Sequence, residues 1–522
     1  MQAIGVNRKA IVFAIIVPLA IYLGWMLSDP LSFNAVTVVG LLFALLISPV
    51  LLRWHQPILV FAWNTSMTIF FLPGNPPFWM AMAAVSMLII ILEAIIEKRI
   101  RLQNVRSLTW TLLIFLAIVL ITAYVRGGIG LRSMGGAFYG GKKYVFIFGA
   151  LLGYFALSSR PIPLPRASRA VAMFFLGTLT FAMSNLIYTL GPVFYSLFLI
   201  FPADFAITQA ESDFDITGMV RLTGVCLAMI GPYYYLMATW GVRGIFNANH
   251  PFRLPVLCLI VFGALLGGFR SLLLLFAAIF VLQLWLEKLF NTRLFYGMVL
   301  TALLVGTALV PFTHRLPMAV QRTLAVLPID VDPTVRLDAQ ASSEWRVEMW
   351  RIILPEVENY LWLGKGYVIN PTDLYMAQES ARRGFLSGYE AFIIAGDYHS
   401  GPLSLLINFG IPGTLAFIAF GLAGIRVMYR NFRYGDPALR QVNALLLSCF
   451  TAKFILFWLI FGDIGTDLPA FTGLIGFNVA LNGGMKERPR SAVKSAIPAG
   501  GIATAPVPAP GLGQPAFPRT RG

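Results

Sequence analysis

The sequence predicts an all-α polytopic membrane protein with about 12–14 transmembrane helices and one long outer, periplasmic helical loop. Three observations predict it. The 522 residues are 58% hydrophobic and only 12% charged, far from the balance of a soluble domain. Runs such as "IVFAIIVPLAIYLGWML" (11–27) and "SLLLLFAAIFVLQLWL" (271–286) approach the length a helix needs to cross hydrocarbon. The basic connections fall on alternate sides of the runs, as topology requires.

Candidate spans lie near 11–27, 34–52, 57–72, 78–96, 108–125, 143–158, 169–190, 219–240, 253–267, 269–286, 294–313, 402–425, 441–461 and 465–482. Short segments and Gly-Gly breaks near 57, 253 and 269 also fit re-entrant segments. The connections "VNRK", "EKRIRLQNVR", "SSRPIPLPRASR", "EKLFNTR", "RVMYRNFR" and "KERPR" form the basic set. They are expected inside, with both termini cytoplasmic in a bacterial inner membrane. The formal charge of +16 is therefore read as topology and contact with membrane lipids, with no nucleic acid as partner.

This division gives membrane helices over 1–313, a periplasmic loop or lid over 314–401, further membrane helices over 402–483, and a disordered cytoplasmic tail over 484–522. Loops as long as 314–401 are usually functional. Within it, "SSEWRVEMWRIILPEVENYLW" (342–362) has helical spacing, with Ser342 or Ser343 placed to cap its start. Cys226, Cys258 and Cys449 lie singly in apolar runs and suggest neither a disulfide framework nor a metal site.

Charges that break the inside bias are the informative ones. Arg126, Arg132, Lys142 and Lys143 fall in an outer loop, Arg221 opens a span at that face, and Arg270 follows "LLGG". Arg346 and Arg351 lie in the lid. Any one of these is commonly a snorkelling anchor or headgroup contact, yet together they offer planar forks suited to phosphate oxygens. For Arg270 the preceding glycines and a position at membrane depth favour a functional role. "GGAFYGGKK" (135–143) nearly spells a nucleotide-binding loop. Lys143 stands where that motif needs Ser or Thr, so ATP is excluded, although the loop retains a shape suited to a phosphate.

Of four histidines, His55 and His250 fall in short inner turns and His314 follows a span. His399 differs, because Asp397 lies two residues before it at the start of an apolar run. An imidazole there suits proton removal from a hydroxyl. Trp345, Trp350, Trp362, Tyr360 and Tyr367 supply faces for sugars or, equally, for a lid lying on a bilayer.

The order "GGFRSLLLLF" (267–276), "WRVEMWR" (345–351), "LWLGKGY" (361–367) and "DYHSGPLSLLINFGIPGTL" (397–415) resembles the O-antigen ligase and O-antigen polymerase superfamily. "RLTGVCLAMIGPYYYLMA" (221–238) is similar to that family's Arg-x-x-Gly segment. The resemblance covers roughly residues 220–420. It implies a metal-independent, inverting glycosyltransferase with no cofactor, taking a polyprenyl diphosphate-linked glycan as donor and a glycan or lipid A-core hydroxyl as acceptor. It further implies that Arg270, Arg346 and His399 are the key groups, with Asp397 beside the base. Arg221, Arg126, Arg132, Lys142, Lys143, Arg351 and Trp350 are then candidates for substrate binding. Two departures from the family pattern, Phe269-Arg270-Ser271 and Ser400 after the histidine, bear on the subfamily. A transporter or flippase and a non-catalytic scaffold of envelope polysaccharide assembly are the rival classes.

Overall fold

The computed structural model describes residues 13–488, apart from 14–15, 19, 23, 26–32, 73, 98–102, 104, 129–139, 213–218, 370 and 384–389. Residues 487–522 form a second unit lying almost entirely outside the described residues, as does the expected tail. The described chain is helical with a single isolated bridge, Thr68 to Pro77. Eight of its helical segments are long and apolar enough to span a membrane, and three shorter apolar helices follow at 253–265, 270–286 and 293–308. The protein is an all-α, multi-pass membrane protein.

The helices used below are α1 (Phe33–Ala62), α2 (Phe78–Glu97), α3 (Arg106–Arg126), α4 (Gly141–Ser158), α5 (Leu164–Leu176), α6 (Ala182–Leu190), α7 (Thr223–Ala228) and α8 (Ile230–Ile245). They continue as α9 (Arg253–Leu265), α10 (Arg270–Leu286), α11 (Arg293–Leu309), α12 (Met318–Leu324), α13 (Pro333–Ile353), α14 (Gly401–Tyr434), α15 (Arg440–Leu459) and α16 (Ile464–Asn482). α16 is the hub. It packs along α4 and against α14 and α15, while α14 also lies along α3, and α15 carries α8 and α10. Phe174 of α5 stacks on Phe477 of α16 at 4.2 Å, and Tyr233 of α8 stacks on Phe276 of α10 at 4.0 Å.

Two sequence expectations change here. Residues 34–52 and 57–62 share one helix, α1, and the chain unwinds from Trp63. "RWHQ" therefore lies inside a helix instead of in a turn. Two of its polar groups find partners on neighbours: Gln56 Nε2 donates to Arg160 O at 3.0 Å, and His55 O accepts from Ser86 Oγ at 3.3 Å. In the lid, the long helix starts at Pro333, well before Ser342. Its cap is Asp332, whose carboxylate accepts from Thr334 N at 2.8 Å, with Pro333 pre-set for a first helical turn.

Membrane helices break where something else can satisfy the freed backbone groups. At Gly241 (φ 61) α8 is interrupted, and Glu287 accepts from Val242 N (2.9 Å) and Arg243 N (3.0 Å) while Gln441 Nε2 donates to it at 2.8 Å. The larger break is in α14, at Gly410 (φ 66) just before Pro412. There the lid segment 361–366 lies across the helix. Lys365 N donates to Ile407 O (2.6 Å), Gly366 N to Asn408 O (3.0 Å), and Ile411 N to Leu361 O (2.6 Å). Thr122 Oγ1 and Arg126 Nε of α3 donate to Leu363 O and Gly364 O at 2.8 and 2.9 Å. At the other end of α14–α16, Asn431, Asn443, Asn478 and Asn482 form a buried amide network.

Gly364 cannot be replaced without moving this clasp. Its φ is +79, and a Cβ would stand 2.3 Å from Asn408 O. Gly364→Ala is expected to cost about 2–4 kcal/mol, combining left-handed strain with the clash. Its thermal midpoint in detergent should fall by several degrees, whereas Gly297→Ala, at an open helical position, should leave the midpoint unchanged. Equal midpoints for the two variants would refute the clasp.

Candidate functional site

α13 brings the site together, because it touches both α10 and the segment that enters α14. At its first half, Arg270 Nη2 at the N-terminus of α10 donates to Ala339 O (3.0 Å) and Ser343 Oγ (3.1 Å). At its second half, Trp350 Nε1 donates to Tyr398 O at 2.8 Å, one residue before His399. Beneath both, Ile353, Tyr398, Leu403 and Ile407 form a small apolar core. The lid helix is thus docked, and Trp350 serves as the fastener.

A charge that the sequence reading passed over sits between these contacts. Arg322 of α12 is buried, ion-paired through Nε with Asp338 of α13, and donates through Nη1 to Gly268 O at 2.7 Å. Gly268 has φ +71 and sits where a Cβ would lie 3.3 Å from Arg322 Cδ and 3.4 Å from Arg221 Nε. That explains Gly268: the turn needs a left-handed residue and the guanidiniums need the space, while a Cβ at Gly267 would stand 2.5 Å from Cys226 Cβ. Arg221 donates from Nε to Gly267 O at 3.2 Å and lies 5.2 Å over the Phe269 ring.

Arg221, Arg270, Arg322 and Arg346 are therefore neighbours in one electrostatic cluster. Burial lowers the affinity of Arg346 for its proton, and Arg270 and Arg322 lower it further. Burial does the same to Arg221, with Arg322 adding to it. These guanidiniums remain charged, so the shifts reflect first their removal from water and then their mutual repulsion. Arg346 Nε is buried without a hydrogen-bond partner.

His399 lies next to the cluster. Its backbone is left-handed (φ 47), and its ring stacks on Phe461 at 5.3 Å, with Trp345 at 5.5 Å and Phe392 at 5.1 Å. Asp397 Oδ1 is 3.8 Å from Nδ1, an ionic contact too long for a hydrogen bond. Burial lowers the imidazole pKa from 6.5, Asp397 pulls it back up, and Arg346 and Lys143 lower it. The ring is neutral at pH 7 and able to accept a proton.

Asp463 is the second residue that the sequence did not single out. It caps α16 by accepting from Thr466 N at 3.1 Å, and its own N–H donates to Asp467, which pairs with Lys453 at 2.7 Å. Its Oδ1 is buried and unpartnered, and burial pushes its pKa up to about 6, against Lys143 and with Asp397 and Asp467. The signal available in the sequence was the acidic pair in "GDIGTD", which reads equally well as an outer loop.

The remaining candidates divide. Lys143 lies 5.0 Å over the Tyr367 ring and acts electrostatically on both His399 and Asp463. Arg126 instead holds the clasp, 5.7 Å over Tyr360. Arg351 is exposed and paired with Glu348 at 2.8 Å. Lys142 is exposed, and Arg132 lies outside the described residues.

Among known proteins, residues 255–418 match the family model described as O-antigen ligase. The match runs from α9 to the first half of α14 and includes Arg270, Arg322, Arg346, Asp397 and His399. No curated protein matches the chain.

The ring environment is measurable without substrate. Nitrogen NMR of histidine-labelled protein, assigned with His399→Gln, should show His399 titrating below 6.5. Asp397→Asn removes the one charge that favours the imidazolium, so the titration should move lower still. Arg346→Gln should move it up. Opposite signs would refute the placement of these charges.

Proposed function

Proceeding from an O-antigen ligase-type segment at 255–418 in a multi-pass membrane protein, we propose that the chain is a glycosyltransferase of the ligase or polymerase kind. It moves a glycan from a polyprenyl diphosphate carrier to an acceptor hydroxyl at the periplasmic face of a bacterial inner membrane, both termini being cytoplasmic. The single observation that carries this reading is that the lid helix α13 bears Arg346 and bonds both to Arg270 and to the residue before His399.

The chemistry follows from that pairing. The acceptor oxygen attacks the anomeric carbon from the face opposite the carrier, the bond from that carbon to the diphosphate oxygen breaks, and configuration inverts. The hydroxyl proton passes to the imidazole of His399, whose new charge faces Asp397. The bond electrons leave with the diphosphate, where Arg270 and Arg346 meet the growing negative charge. Arg322 is neutralised by Asp338, so its part is to hold the Gly268 turn and thereby aim Arg270. Lys143 and Arg221 extend the cationic surface for the carrier or the acceptor.

Transport draws on the broken helices, since half-helices at mid-membrane are a transporter device. At Gly410 and Gly241, however, the freed backbone groups are taken by the lid segment and by Glu287. Those breaks serve to dock neighbouring elements, which favours the transferase.

Purified protein incubated with a polyprenyl diphosphate-linked glycan and a glycan or lipid A-core acceptor should yield product detectable by mass analysis. Arg270→Ala, Arg346→Ala and His399→Ala should each lower the rate on the order of 10²-fold or more. Unchanged turnover in all three, with the proteins intact, would end this reading.

A further inference from the structure

We propose that the cavity between the first half of α13 and residues 325–328 is a saccharide pocket, which takes the neutral sugar attached directly to the carrier diphosphate. The inference rests on the transfer reading above and assigns a recognition site within it. The cavity has a volume of about 380 Å³, in the lower part of the range of about 300–1,000 Å³ for small-ligand sites. That is room for one or two sugar rings.

Its walls have the mixed chemistry a pyranose needs. Arg336, Gln340 and Glu344 lie at successive i, i+4 positions of α13 and form one stripe along it. The stripe offers guanidinium donors, an amide that both donates and accepts, and a carboxylate acceptor, which together match a ring of hydroxyls. Leu327 and Pro328 face it and supply an apolar surface for the C–H side of the ring. Arg336 Nη2 donates to Ile329 O at 2.9 Å and holds that facing wall to the helix.

Charge balance separates this pocket from the arginine cluster. Arg336 and Glu344 offset one another, so a phosphate entering here would meet a carboxylate. A diphosphate is better placed beyond Arg270, where Arg346 stands. Arg270 closes one end of the cavity and donates to Ala339 O and Ser343 Oγ. Its guanidinium thus marks the boundary between the two regions, which is where the bond between sugar and diphosphate has to lie. Gln340 and Glu344 are exposed, so the rest of a longer glycan can leave toward solvent.

The experiment compares binding of two probes to the full-length protein in detergent. One is bare polyprenyl diphosphate, and the other is the same carrier bearing a single neutral hexose or N-acetylhexosamine. The wild type should bind the glycosylated carrier about tenfold tighter. Gln340→Trp, which fills the cavity from an exposed helical position, should abolish that difference while leaving affinity for the bare carrier intact. Glu344→Gln should reduce it in part. Equal binding of both carriers by the wild type overturns the pocket, as does a Gln340→Trp protein weakened equally toward both. If neither carrier binds, this inference and the transfer reading fall together. If both bind as expected but no glycan is transferred, only the transfer reading fails.

Discussion

The structure depends on the repair of one broken helix. Gly410 and Pro412 interrupt α14, a helix long and apolar enough to span a membrane, and in hydrocarbon an unpaired carbonyl costs several kcal/mol. The lid supplies the missing partners by laying residues 361–366 over the break, with their own carbonyls received by Thr122 and Arg126. A loop of this length closed only by surface contacts would have many arrangements. Closed by main-chain bonds at a fixed place in the membrane domain, it has one. His399 is then held from two sides. Below it α14 is anchored through the break, and above it Trp350 fastens α13 to Tyr398.

That rigidity matters because the site is electrostatically uncomfortable. Four guanidiniums share one region, and the ion pair among them is Arg322 with Asp338. Like charges partly removed from water repel at a higher effective strength than in bulk. The protein holds them by main-chain acceptors, Gly267 O, Gly268 O and Ala339 O, which fix position without cancelling charge. Such an arrangement leaves a standing positive potential for which a diphosphate is the natural complement.

The parts of this design that the sequence made legible share a feature. Long apolar runs and the break at "GGFR" are local signals, each readable within a short window. Arg270 and His399 were found because each violates its immediate surroundings. Arg322 and Asp463 escaped for the opposite reason. "VQRTL" reads as an ordinary surface turn of helix, and "GDIGTD" as an acidic outer loop, so their meaning comes only from what packs on them. The α13 start was misplaced similarly, since the apolar stripe at Trp345–Ile353 was visible while the Asp332-Pro333 cap lay in polar sequence. α1 hid its continuity behind "RWHQP", where His55 O is met from α2 and Gln56 donates to Arg160 O. Arg126 was detected as an outward cation, but its partner is a backbone carbonyl far along the chain.

His399 shows how local strain and long-range packing combine. A left-handed backbone is uncommon for histidine, and it persists only where the surroundings over-determine it. Here α14 begins two residues later, Tyr398 is buried with its carbonyl engaged, and the ring is wedged among Trp345, Phe392 and Phe461. Burial disfavours the imidazolium, as do Arg346 and Lys143, while Asp397 at 3.8 Å opposes them without bonding. In the proposed transfer, a ring so placed is a modest base that accepts the acceptor's proton and surrenders it readily afterwards. The cations that add to burial in disfavouring the imidazolium are those offered, in that proposal, to a departing anion. In the proposed transfer, proton acceptance and charge relief are therefore coupled: as negative charge gathers beside Arg346, its repulsion of an imidazolium would fall, and His399 would become a stronger base at the moment the acceptor proton comes off.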